Sequence, residues 1–152
     1  MLLAIDPGTT SSAYILYEHE MIFGKGKVEN EAMLDIIRDT IFDTLVVEAI
    51  ASFGMSVGAE VFTTCIWVGR FIQVCADKGR AGSPYALMYR GEIKMHLCHS
   101  MRAKDSNIRQ ALIDRLGKPG SKKNPGPTYG ISGDEWSALA VAVTFSDTKG
   151  AK

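Results

Sequence analysis

Asp6 and Glu48 each stand at the end of an apolar run, Leu-Leu-Ala-Ile before the first and Leu-Val-Val before the second. An ionised side chain there is costly to desolvate without a partner. In open α/β sheets, the carboxyl ends of strands are where ligand sites collect. If the two runs are neighbouring strands, their terminal acids repel, and one pKa rises unless a cation compensates. Asp134, at the start of the apolar segment Glu-Trp-Ser-Ala-Leu-Ala-Val-Ala-Val, is the third candidate. Three oxygen donors converging in this way suit Mg²⁺ or Mn²⁺, hard cations that keep several waters and bind phosphates. Each acid also has a purely structural alternative. Asp6 before Pro7-Gly8 is placed to cap a turn, Glu48 to pair with a buried Lys or Arg, and Asp134 to serve as a charge favoured at a helix N-terminus.

The elements that would position these acids follow from pattern. Residues 2–6 read as a short buried strand, Pro7 to Thr10 as a turn, and 11–17 and 21–28 as two more strands, the last weakened by Gly24 and Gly26. Such tight connections make an antiparallel meander. Met33, Ile36, Ile37 and Ile41 follow helical spacing over 29–42. A buried strand at 44–48, a loop at 51–58, a long apolar helix at 59–78 and a short strand at 84–89 come next. Two basic helices, 91–99 and 104–116, precede the Gly/Pro-rich stretch 117–130, which predicts a loop without regular structure. The last helix begins near 132–134 with Ser132 as its cap. It is small and apolar on nearly all sides, so it should pack on the sheet. The order predicts an α/β fold with a mixed sheet.

A length of 152 residues bounds the chain to one domain, 1–152. With 46% apolar and 22% charged residues, the composition is that of a globular protein. No stretch approaches the roughly 20 apolar residues of a bilayer span, and Asp6 interrupts the N-terminal run too early for a signal peptide. Cys65, Cys75 and Cys98 are odd in number and lack C-x-x-C spacing, so they read as buried thiols in a reducing cytoplasm. The net charge of zero hides a segregation. Residues 1–89 hold 6 Lys/Arg against 11 Asp/Glu, whereas residues 90–123 hold 9 against 3. That local basic excess is what a phosphate-contacting face needs; a solvated basic helix face is the alternative.

With these motifs in place, the chain resembles the RuvC-type Holliday junction resolvases of the RNase H-like superfamily, particularly the shorter phage versions. AIDPGT at 4–9 resembles the family's first strand with its catalytic aspartate, LVVEAI at 45–50 the strand with its catalytic glutamate, and DEWSALAVAV at 134–143 its closing helix. The resemblance implies an RNase H-like fold, a mixed five-stranded sheet flanked by helices. It implies a Mg²⁺-dependent endonuclease, with Mn²⁺ able to substitute, that nicks four-way DNA junctions and other branched DNA to leave 5′-phosphates. Asp6, Glu48 and Asp134 would be its catalytic and metal-binding residues. Lys94 and Lys104 match the family's basic positions near the DNA backbone, with Arg102 and Arg109 as helpers. Lys122 and Lys123 in the Gly/Pro-rich stretch are placed to grip DNA. A homodimer is implied, with no membrane, in the cytoplasm of a bacterial host if the gene is a phage's. Ser137 departs from the pattern, standing where the family has a fourth acid; a hydroxyl is a poor metal ligand at neutral pH.

Two sites facing two strands predict a two-fold dimer, with the 59–78 helix offering Val61, Phe62, Trp67 and Phe71 to the partner or to its own core. Phe53 and Met55 are candidates for wedges that unstack bases, or for loop anchors. Other readings compete. A branched-DNA binding protein without turnover is one, and a less selective debranching nuclease another. The Asp6 to Thr10 turn also resembles that of sugar kinases and actin-like ATPases, but 152 residues are too few for their two lobes. His96, Cys98 and His99 scatter around a helix axis, which favours a surface or DNA-facing role over a zinc site.

Overall fold

The structure, a computed structural model, describes residues 1–51, 54, 56–78 and 84–149. The meander is β1 (Leu2–Asp6), β2 (Ser11–Glu18) and β3 (Met21–Glu29), followed by α1 (Asn30–Asp39), β4 (Thr44–Ala49), α2 (Ala59–Asp77) and β5 (Tyr85–Tyr89). Then come α3 (Arg90–Cys98), α4 (Asp105–Leu116), a small hairpin of β6 (Gly120–Ser121) and β7 (Asn124–Pro125), and α5 (Glu135–Thr148). The main sheet runs β3-β2-β1-β4-β5. β1 pairs antiparallel with β2 and β2 with β3, whereas β4 lies parallel to both β1 and β5. The mixed five-stranded sheet flanked by helices matches the expectation from sequence.

Alternation along the strands divides the core into two layers. Ala4, Val46 and Met88 face α5, where residues 138–143 are fully buried. Leu3, Ile5, Leu45 and Val47 face the other way, against Met33 and Ile37 of α1 and Phe71 and Cys75 of α2. Burying each such aliphatic side chain contributes about 1.5–3 kcal/mol. Small residues on α5 let its axis come close to the strands. Asp6 and Glu48 have the parity of Ala4 and Val46, so both look toward α5.

Gly24 and Gly26 do not weaken β3. They pair with Leu16 and Tyr14 of β2, and a Cβ at either glycine would come within 3.0 Å of those side chains. The missing side chains make room for larger partners across the ladder.

The stretch 117–130 is more ordered than its composition predicts. Ser121 pairs with Asn124 and Gly120 with Pro125; Gly126 N–H donates to Pro119 O (2.7 Å) and Thr128 Oγ1 to Gly117 O (2.7 Å). A Cβ on Gly126 would lie 1.9 Å from Lys118 O, so glycine is what permits the close return of the chain. Strands two residues long leave no alternation for a sequence pattern to report.

The long helix α2 seats Thr64, Phe71 and Cys75 on the sheet and leaves Phe62 (62% exposed) and Ile66 (64%) uncovered. Of the apolar residues named for this helix, Phe71 therefore belongs to the core and Trp67 packs partly against it. By length and composition α2 reaches what a bilayer span needs, which corrects the expectation that no stretch approaches one; here it lies along the sheet. Cys75 is buried, Cys98 half-buried and Cys65 exposed, and none of them forms a disulfide among the described residues, so the buried-thiol reading fails for Cys65, which sits on the uncovered side of α2.

Candidate active site

The first acid is placed by a built turn. After Asp6 the chain reverses through Pro7 to Thr10 and is pinned by Ser12 and Asn30, each 1% exposed. Gly8 N–H donates to Ser12 Oγ (3.2 Å), Ser12 Oγ–H to Asn30 Oδ1 (2.6 Å) and Asn30 Nδ2–H to Gly8 O (2.9 Å). A Cβ on Gly8 would meet Ser11 O at 2.3 Å. Two side chains, rather than Asp6, therefore satisfy the turn, and the carboxylate is left to face the space before α5. Ser12 and Asn30 went unremarked in the sequence because their partners lie 4 to 22 residues away, beyond any local motif.

Ile5 pairs with Val47 across the parallel β1–β4 ladder, so Asp6 and Glu48 follow side by side at the strand ends. Glu48 is 9% exposed. Its side chain meets Arg90, the first residue of α3, whose Nη1 lies 3.3 Å from Oε2 and 3.4 Å from Oε1. The same Nη1 reaches Ser137 Oγ on α5 at 3.5 Å, and Nη2 pairs with Asp105 at the start of α4. Asp134 immediately precedes α5, without a side-chain capping bond, and is held by Lys27 Nζ of β3 at 2.6 Å. The predicted cap Ser132 acts differently: its N–H donates to Glu135 Oε2 (2.8 Å), and Glu135 also pairs with Lys25 (3.5 Å).

The electrostatics separate the three acids. Burial, then Glu48 and then Asp134 push the Asp6 carboxyl up to about 7, and the fields of Arg90 and Lys27 oppose this only in part. Among the described residues, no hydrogen bond to this carboxyl relieves it. Glu48 is also raised, by burial first, with Arg90 the main opposing influence. Among the described residues, no three His, Cys, Asp or Glu side chains stand together as a formed metal cage: Glu48 is turned to Arg90 and Asp134 to Lys27. The carboxylate oxygens gathered here are the donor type that hard divalent ions take. Among the described residues, Asp6 is a half-buried carboxylate without a salt bridge, and the two neighbouring acids are paired with Arg90 and Lys27.

A groove of about 710 Å³ reaches the site at Asp134 and Arg90 and is lined further by Arg109, Gln110, Trp136 and Ser137. Arg109 lies over the Trp136 ring, 5.0 Å from its centroid. Lys94, on α3, is close enough to Glu48 to lower its pKa. Lys104 is the residue before α4, its N–H donating to Asn107 Oδ1 (2.9 Å), and Arg102 lies exposed in the preceding turn. Lys122 and Lys123 form the exposed tip of the β6–β7 hairpin, and no described bond ties them to the acids. Of the other basic residues, Arg115 is engaged by Glu20 and Asp147. His96 also pairs with Asp147 (2.6 Å), which turns its ring to a neighbouring helix instead of a ligand. Phe53 and Met55 lie outside the described residues.

Lys27 and Arg90 are the site residues that sequence reasoning missed. Arg90 lies at a strand–helix junction with no pattern of its own; the parallel β4–β5 pairing alone brings it to Glu48.

No protein-family model matches the chain, and no curated protein does. Solved structures do. A Thermus thermophilus RuvC in complex with a Holliday junction substrate superposes with a TM-score of 0.69 at 15% identity, covering 95% of this chain and 92% of that one. A second Thermus thermophilus RuvC structure gives 0.66 at 17% identity, covering 98% and 96%. Over nearly its whole length, this chain has the RNase H-like fold of RuvC.

Proposed function

We propose that this chain is a metal-dependent endonuclease that hydrolyses phosphodiester bonds in four-way DNA junctions and other branched DNA. The observation that carries the reading is Asp6. On a RuvC fold, at the end of the central strand, a half-buried carboxylate feels the repulsion of two others and has no salt bridge among the described residues. Asp6 would hold Mg²⁺, or Mn²⁺ in its place, with Glu48 and Asp134 turning to complete the coordination. Such an ion, when bound, lowers the pKa of water and offsets charge on the phosphate. A water oxygen bonds to phosphorus, the bond to the 3′ oxygen breaks, and that oxygen takes up a proton, leaving a 3′-hydroxyl and a 5′-phosphate.

The chain's own residues provide the rest. Lys94 is placed to hold a phosphate beside Glu48. Arg109, braced on Trp136, presents a planar guanidinium along the groove, a shape suited to phosphate oxygens. Lys104 and Arg102 extend the basic surface, and Lys122 and Lys123 reach out on the hairpin to the more distant backbone. Cutting a four-way junction symmetrically requires two such sites, and the uncovered Phe62 and Ile66 of α2 support a two-fold dimer across that helix.

Ser137 and the pairing of Glu48 and Asp134 with protein cations favour a second reading, a branched-DNA binder with little or no cleavage. A labelled four-way junction incubated with the protein and Mg²⁺ separates the two. Nicks bearing 5′-phosphates support the nuclease; binding without nicks, in Mn²⁺ as well, would leave the binder.

A further inference from the structure

Arg90 touches Glu48, Ser137 and Asp105 together. Its Nη1 lies between the carboxylate at the end of β4 (3.3 Å) and the hydroxyl on α5 (3.5 Å). Ser137 follows Asp134 by three residues, about one helical turn, so a carboxylate at 137 would be a natural ligand for a second ion. The hydroxyl actually present carries no charge and is a weak ligand. Lys27 meanwhile holds Asp134 at 2.6 Å. Among the described residues, two of the three acids therefore pair with a protein cation each, and Asp6 forms no salt bridge.

A guanidinium keeps its charge at any working pH and offers five donors in a rigid plane. A divalent ion placed between Glu48 and Ser137 would sit against that charge and would lack an anionic ligand on the α5 side. We infer that Arg90 takes the place of a second metal ion, so that each chain binds a single divalent cation, at Asp6, and the guanidinium faces the phosphate from the Glu48–Ser137 side. This rests on the metal-dependent reading above and adds to it the number of ions and the identity of their substitute.

The test is a count of Mn²⁺ on the full chain without DNA, by titration of the free-ion electron paramagnetic resonance signal, together with the spectrum of the bound ion. The expected result is one Mn²⁺ per chain with the spectrum of an isolated ion. Ser137→Asp alone keeps that count, because Arg90 pairs with the new carboxylate. Combining Ser137→Asp with Arg90→Gln raises it to two per chain, with magnetic coupling between them. Two coupled ions in the unaltered protein would overturn the inference and leave the metal-dependent reading standing. The wild-type count decides this even if the double variant fails to fold. A double variant that folds and still binds a single ion would also overturn it. No bound Mn²⁺ at all would defeat both.

Discussion

Lys27 Nζ lies 2.6 Å from Asp134 Oδ2 and joins the last part of β3 to the residue before α5 across 107 residues of sequence. The ammonium occupies one of the carboxylates that a bound cation would need. Both side chains are about half exposed, so the pair is easily exchanged for water or for an ion.

Lys27→Met should therefore tighten divalent-ion binding. With the competing ammonium gone, the Kd for Mn²⁺ should fall by about two- to fivefold, in line with the modest strength of an exposed pair. Titration of the variant beside the parent checks this, and an unchanged or weaker Kd would show that Asp134 does not take part in holding the ion.

Asp6 should make stability depend on pH. Its folded pKa, about 7, stands above the unfolded value of 3.8. Ionising it therefore costs the fold more than it costs the unfolded chain. That cost is absent below about pH 4, grows between 4 and 7, and is complete above 7. Asp6→Asn removes it, so the variant should melt higher than the parent at pH 8 without metal, by about 3 °C or more, and at the same temperature at pH 4. Thermal melts at the two pH values check the sign; a lower Tm at pH 8 would contradict the assignment.

Gly8→Ala should disturb the turn that aims Asp6. The added Cβ would lie 2.3 Å from a backbone oxygen, and such overpacking costs typically about 1–3 kcal/mol. For a chain of this size that is a drop of roughly 2–10 °C in Tm, accompanied by weaker Mn²⁺ binding. Full stability with full ion affinity would mean that the turn does not position the acid.

Ile66→Glu tests the uncovered side of α2. Ile66 is 64% exposed on the single chain, so the variant should fold, with its Tm lowered only through loss of the dimer contact. Light scattering should show the parent as a dimer and the variant as a monomer. A variant that stays dimeric would move the interface elsewhere.

Much of this arrangement was legible in the chain, and the reason is local. β1 and β4 carry apolar runs closed by acids, and α5 is apolar on nearly all sides as far as Val143; both patterns are complete within a few residues. The neighbouring positions of Asp6 and Glu48 followed from a single guess, that these strands adjoin. What escaped was the set of partners supplied by distant elements. Lys27 reads as an ordinary strand residue until β3 and α5 are seen together, and Arg90 as one more basic residue until β5 is laid beside β4. The hairpin at 120–125 was masked by its glycines and prolines, which break longer strands but here make room for a tight return. Gly24 and Gly26 misled in the same manner, because the side chains that fill their places belong to β2.

The most direct test of the account is a comparison of Asp6→Asn with the parent chain on a labelled four-way junction, following binding and cleavage in parallel with Mg²⁺. The variant should bind the junction as tightly as the parent and leave it uncut. Cleavage at the parent's rate by the variant would contradict this.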